Sequence, residues 1–337
     1  MIEDGAQTFA YTAEQIDLSR KLGLIFMPHA MGQVNDYYKG QDSARFVHYT
    51  SAESALSIIK SKRFWMRNTN CMADVSEVQR GFSIIGKFFS EEPNQKAFTT
   101  ALDACANNAA SEALGRFAQA ATDIRFSTYI SAISEHDDTE DSYGRLSMWR
   151  AFGGNVVARV GIVLKLPLFS QGTVPLNLLF NPVSYLSEEA ALGVLHQVIQ
   201  NVIDNRDFLR GVDREVLIRS IFATLLSSAV CLKHKAFHEE REWRVIYNAK
   251  RGASKLMESS IEVIGGVPQI IHKIPLDATV SDSVADLELA RLFDRLIIGP
   301  SPYPWPLYEA FVSALKEAGV ENVDERVIVS DIPIRLM

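Results

Sequence analysis

Three glutamates, Glu239, Glu240 and Glu242, stand in the stretch KHKAFHEEREWRVIYN, residues 233–248, just before the apolar run WRVIY. If a strand starts at Glu240, its period of two turns Glu240 and Glu242 to one face. Two such carboxylates repel unless a cation or a ligand hydroxyl lies between them. A purely structural design would rarely choose this arrangement in a strand that then turns apolar. The plain alternative is a solvated edge with Lys233, Arg241 and Arg244 as surface partners. His234 and His238, four residues apart, would share a helix face as metal ligands. No third ligand follows except the glutamates, and histidines at helix ends commonly serve the dipole, so no metal is expected.

A second candidate is His48–Tyr49, side by side at the end of the strand-like RFVHY. A strand-end histidine is more often a satisfied structural residue, and becomes the wall of a site only with a partner elsewhere. A third is SYGRLSMWRAFGGN, residues 142–155, where Trp149 and Phe152 flank adjacent glycines near Arg145 and Arg150. Aromatics beside a glycine turn can frame a flat ligand, or simply cover the core. The glycines lack the spacing of a phosphate loop, and no GxSxG, HExxH or paired CxxC occurs.

These candidates need elements to hold them. Thr12 with Gln15 forms a capping box for a first short helix, and a polar loop is expected from there to residue 44. RFVHY reads as a strand. Thr50 with Glu53 reads as the cap of a helix, and FWMRN as a second strand. A helix from Asp74, with Val78, Phe82, Ile85 and Phe89 inward, and an Ala-rich helix over 94–122 form an insertion suited to surface or assembly. FSTYISAIS, the nearly continuous apolar ARVGIVLKLPL and NPVSYL return to strand. A helical pair opened by Ser187 and Asp213 spans about 187–235. EWRVIYN, a hairpin about Gly265–Gly266, RLIIGP, a helix from Pro304 ending before Gly319, and RVIVSDIPI as an edge strand complete the chain. The expected organisation is a helix and loop over 1–44 followed by one α+β domain over 45–337, with a helical insertion at about 74–124.

Composition bounds the partners. The chain has 337 residues, with 47% hydrophobic and 22% charged, enough for a sizeable core. A net charge of −7 disfavours a surface built to coat nucleic acid. Three cysteines without metal spacing read as reduced thiols, and the acidic N-terminus lacks a signal-peptide pattern. A cytoplasmic protein is expected, with no apolar run of membrane-spanning length.

The order of the pieces carries a resemblance. HYTSAESALSIIKSKRFWMRN, TYISAISE, SMWRAFGGNVVARVGIVLKL, PVSY, LKHKAFHEEREWRVIYN and LIIGP together resemble the bacterial family called domain of unknown function 2971, over roughly residues 45–302. A strand ending in His, a Ser/Thr-started helix and a late E-x-E also look like the ADP-ribosyltransferase superfamily. That likeness implies two small, mainly antiparallel sheets forming a cleft for NAD as substrate, and a possible toxin or phage-defence role. It implies that Glu242 stabilises an oxocarbenium-like transition state while Glu240 positions the acceptor. His48, Tyr49, Thr50, Trp149 and Arg244 would hold the nucleotide. Ser131, Ser134, Tyr143 and Trp149 compete for the middle-strand position beside the nicotinamide. Two other readings stand beside it: a non-catalytic nucleotide-binding or signal-sensing module in the same cleft, and a metal-dependent nuclease on Glu239, Glu240 and Glu242.

Overall fold

The computed structural model describes residues 12–72, 75–151 and 158–332. The chain is mixed α+β, 54% helix and 22% strand, with a mainly antiparallel sheet. The strands are β1 (Ser43–Ser51), β2 (Arg63–Asn68), β3 (Tyr129–Glu135), β4 (Arg159–Pro167), β5 (Leu179–Pro182), β6 (Ser184–Tyr185), β7 (Leu232–Lys233), β8 (Glu242–Tyr247), β9 (Glu258–Ile264), β10 (Val267–Pro275), β11 (Phe293–Ile298) and β12 (Val327–Val329). Ten of them join in a single sheet in the order β12-β11-β4-β1-β3-β2-β10-β9, with β8 lying between β3 and β5. Only β6 and β7 pair apart, in parallel. One large sheet therefore replaces the two small sheets expected.

That sheet is forked. One edge of β3 pairs continuously with β8, from Tyr129↔Tyr247 to Ser134↔Glu242. The other edge is shared: β1 takes Ser134 and Glu135, and β2 takes Tyr129 and Ile130. Among the described residues, no strand pairs with residues 131–133 on that side. β1 and β2 part there because the helix Ala52–Ser61 connects them.

Each face of the sheet buries a different core. On one, Ile130 and Ile246 pack under the helices Val75–Ser90, Ala109–Phe126, Glu188–Asp204 and Arg214–Val230. On the other, Phe46, Ile133, Trp243 and Tyr247 pack with Ile58 and Ile59 of the β1–β2 helix and Phe311 and Leu315 of the helix Pro304–Glu317. The alternation of β1, β3 and β8 explains the division, since neighbouring residues along a strand must serve opposite cores.

Local signals largely hold. Thr12 and Gln15 form the reciprocal box, Ser187 and Asp213 cap their helices, and Gly265 and Gly266 take the left-handed turn at φ 61° and 81°. Residues 28–38, expected as loop, are helical: Pro28 sits in the first turn, where its fixed φ helps and its missing N–H costs nothing, and Tyr38 is buried. Thr50 remains in β1, and Ser51 is the cap, accepting from the Ser54 N–H at 3.1 Å. The Ala-rich segment is two helices, Glu92–Asp103 and Ala109–Phe126, parted near Asn108, whose φ is positive. Asp74, Phe152, Gly153 and Gly154 lie outside the described residues.

Candidate functional site

Register decides which of the expected site residues meet. Val47 pairs with Ser134, and Ser134 with Glu242, so these three share the helical face. His48, one residue on, faces the other way. His48 and Glu242 therefore stand on opposite faces of the sheet, and the pairing expected for nicotinamide–ribose cleavage is not formed.

His48 has a structural occupation. It is the first residue of β1 past the fork, and its Nδ1 lies 2.9 Å from the Ala132 carbonyl, which has no ladder partner. A carbonyl only accepts, so Nδ1 carries the proton. Burial pushes the pKa down, against the opposing pull of that hydrogen bond, and the ring is neutral with Nε2 unprotonated. Tyr49 faces the helical side. Its ring meets Trp149 edge-on at 4.8 Å and its hydroxyl accepts from the Arg145 N–H at 2.8 Å. Trp149 is fully buried and donates Nε1–H to the Tyr143 carbonyl at 2.7 Å. Thr50 sits opposite Val160 in the β1–β4 ladder.

The E-x-E motif is not a strand pair. Glu240 ends the 3₁₀ turn Lys235–Glu240, and Arg241 has φ 43°, so the period of two does not apply. The two carboxylates meet all the same, on Lys233 Nζ, at 2.7 Å from Glu240 and 3.4 Å from Glu242. Glu77, from the helix Val75–Ser90, reaches the same ammonium at 2.9 Å. Arg244 Nε bonds Glu242 at 2.7 Å, while its Nη2 bonds Glu77 and its Nη1 bonds the Val230 carbonyl. Burial raises the Glu242 carboxyl, but Arg244 and Lys233 more than offset it, so its pKa lies below the ordinary range. Both cations are held charged against burial by the same carboxylates. Glu242, Arg244 and Lys233 are all buried, so the cation that the E-x-E pattern demanded is internal. No group of His, Cys, Asp or Glu among the described residues is arranged to hold a metal.

The open space lies on the other face, beside the fork. A cavity of about 290 Å³ has Phe64 of β2, Ile133 of β3, Leu164 of β4 and Val245 of β8 in its wall. The segment 166–180 forms another part, and Gln15 and Ser19 of the first helix stand exposed at the mouth. Asp286 fixes the wall by accepting from Ser170 Oγ at 2.7 Å and the Gly172 N–H at 3.1 Å. A Cβ on Gly172 would come within 2.8 Å of Leu287 and 2.7 Å of Asp286, so the turn needs glycine there. Polar atoms are few: Ser170 and Thr173 in the wall, Gln15 and Ser19 at the mouth. Ser131 lies on this face between the wall residues Ile133 and Val245. It is buried and its Oγ has no hydrogen-bond partner among the described residues. Phe64 joins cavity and fork, its ring meeting His48 edge-on at 4.8 Å.

Residues 169–178 carry no assignment from the sequence, and Ser131 stands there as one of four equal candidates. The signal available was the run LPLFSQGTVPLNLLF, an apolar stretch broken by a turn and too rich in large side chains for a plain surface loop. No family model matches the chain, and no curated protein or solved structure does. The resemblance to a family rests on the order of short motifs alone.

Proposed function

We propose that the chain is a binding module that senses a small, uncharged and mainly apolar molecule in the cavity beside the fork. The observation that carries this reading is the wall itself: about 290 Å³ of space with no Asp, Glu, Lys, Arg or His among its described lining residues. Such a site favours apolar groups, each buried methylene contributing about 0.8 kcal/mol, while a few hydroxyls fix orientation. Among the described lining residues a pyrophosphate meets no cation, so this space disfavours a dinucleotide.

Titration with the neutral fluorophore 1-aminoanthracene tests the proposal. Wild type is expected to enhance and blue-shift its emission saturably, and Leu168→Trp, which projects a ring into the cavity, to lose at least tenfold in affinity. Equal binding by the two, or none by the wild type, overturns it.

ADP-ribosyl transfer stands as the second reading, favoured by one observation: His48 and the unpartnered Ser131 face the same side at the fork. It requires a carboxylate other than Glu242. On that face of β3 the carboxylate is Glu135, 3.0 Å from Trp243 Nε1 and raised in pKa by burial. Release of nicotinamide from labelled NAD by wild type, abolished in Ser131→Ala and Glu135→Gln, would establish this reading over the first. No release is expected.

A further inference from the structure

Among the described residues, the strand β9 pairs with β10 on one side and with nothing on the other. An open edge offers a row of unpaired N–H and C=O groups, and folded proteins commonly guard such edges with lysine, proline or a covering segment. β9, ESSIEVI, contains neither lysine nor proline. Its two carboxylates are held by its own sheet: Glu258 by Arg63 at 2.8 Å and Glu262 by Lys273 at 2.8 Å. The hairpin also carries the strongest apolar exposure among the strands described. Ile261 is 74% exposed, Val263 68% and Ile270 53%, and Ile261 sits directly opposite Ile270.

We infer that β9 is the interface for a second copy of this chain, joined antiparallel about a two-fold axis at Ile261. The charges exclude some registers, and the exposed apolar side chains choose among the rest. A two-fold axis perpendicular to the sheet pairs β9 with its copy about one residue. Centred on Ser260, it sets Glu258 opposite Glu262; centred on Glu262, it sets the two Glu262 carboxylates face to face. Like charges directly opposite destabilise a strand pair. Centred on Ile261, Glu258 faces Ile264, Glu262 faces Ser260, and no carboxylate meets another. That register also lines up an unbroken apolar row of Ile270, Ile261 and the same two residues of the copy, burying the most exposed side chains on this edge. The same surface serves both copies, as a closed dimer requires.

Light scattering on the full chain across a concentration series tests this. A dimer mass is expected for wild type, and Ile261→Lys is expected to give a monomer with an unchanged far-UV circular dichroism spectrum, its melting temperature lower only by what dimer formation adds to the folded state. Across the axis, paired Cβ atoms lie about 4.5–5.5 Å apart. Ile261→Cys is therefore expected to yield a disulfide-linked dimer under oxidation, several-fold faster than Glu258→Cys, with wild type as the control for the three native cysteines. A wild-type monomer at every concentration, a dimer surviving Ile261→Lys, or equal cross-linking at 258 and 261 overturns the inference.

Discussion

On the helical face of the sheet, Glu77, Glu240 and Glu242 close around Lys233 and Arg244, with contacts of 2.7–3.4 Å about the ammonium. On the opposite face, the cavity beside the fork has no ionisable side chain among its described wall residues. The residues that look most chemical are those with least freedom to act, because each carboxylate oxygen facing a cation there is already used. The side that can receive a molecule is built from Leu, Ile, Val and Phe, residue types that give no chemical signal. In this chain, charge marks where the helices are fastened to the sheet, and its absence marks where a ligand fits.

The largest expected effect comes from breaking the fastened side. Glu242→Ala leaves Arg244 and Lys233 buried with one carboxylate fewer, and should cost about 3–5 kcal/mol by urea denaturation, as loss of one partner from a buried pair typically does. The double change Glu242→Leu with Arg244→Met removes one charge of each sign and leaves Lys233 with Glu77 and Glu240. It should cost less than Glu242→Ala alone. If Glu242→Ala folds with wild-type stability, the cluster is not a fastening, and its carboxylate regains a claim to chemistry.

A milder effect should come from filling the open side. Leu168→Trp is expected to change stability by about 1–3 kcal/mol at most, the usual range for an oversized side chain, while abolishing probe binding. The contrast sharpens the comparison: one face loses stability without losing binding, the other binding with little loss of stability. A Leu168→Trp protein that unfolds as readily as Glu242→Ala would show that the cavity is part of a tightly packed core.

Much of this was legible in the sequence. The caps at Thr12, Ser187 and Asp213, the Gly265–Gly266 turn and the buried β4 all follow from local rules, and they appear where those rules put them. The demand of Glu240 and Glu242 for a cation was also sound. Lys233, only a few residues away, reads as a surface partner, because sequence does not show that β7 turns its side chain inward. The face of His48 was beyond reach for a related reason. Alternation says that His48 opposes Val47, but only the pairing of Val47 with Ser134, and of Ser134 with Glu242, says which face belongs to the carboxylate. The fork itself is a tertiary event. Nothing in HYTSAES announces that β1 leaves β3 at that point.

The smallest effect, and the most specific, concerns His48 and the carbonyl it covers. His48→Ala strips the half-buried Ala132 oxygen of its partner and should cost about 0.5–1.5 kcal/mol, the usual net contribution of one hydrogen bond. His48→Gln, whose amide can still donate, should recover part of that loss. Acid gives an independent reading. The histidine's pKa in the folded chain lies below its ordinary 6.5, so between the two values the unfolded chain binds the proton and the folded chain does not. Stability is therefore full above about pH 6.5 and falls as the pH drops from there towards the folded value. His29, His136 and His272 are lowered in the same direction and add to the same slope. His48→Gln should flatten the fall in urea midpoint between pH 7.5 and pH 5.5 without removing it. A fall as steep as that of the wild type would mean that His48 titrates alike in both states and that its neutral ring is not what closes the fork.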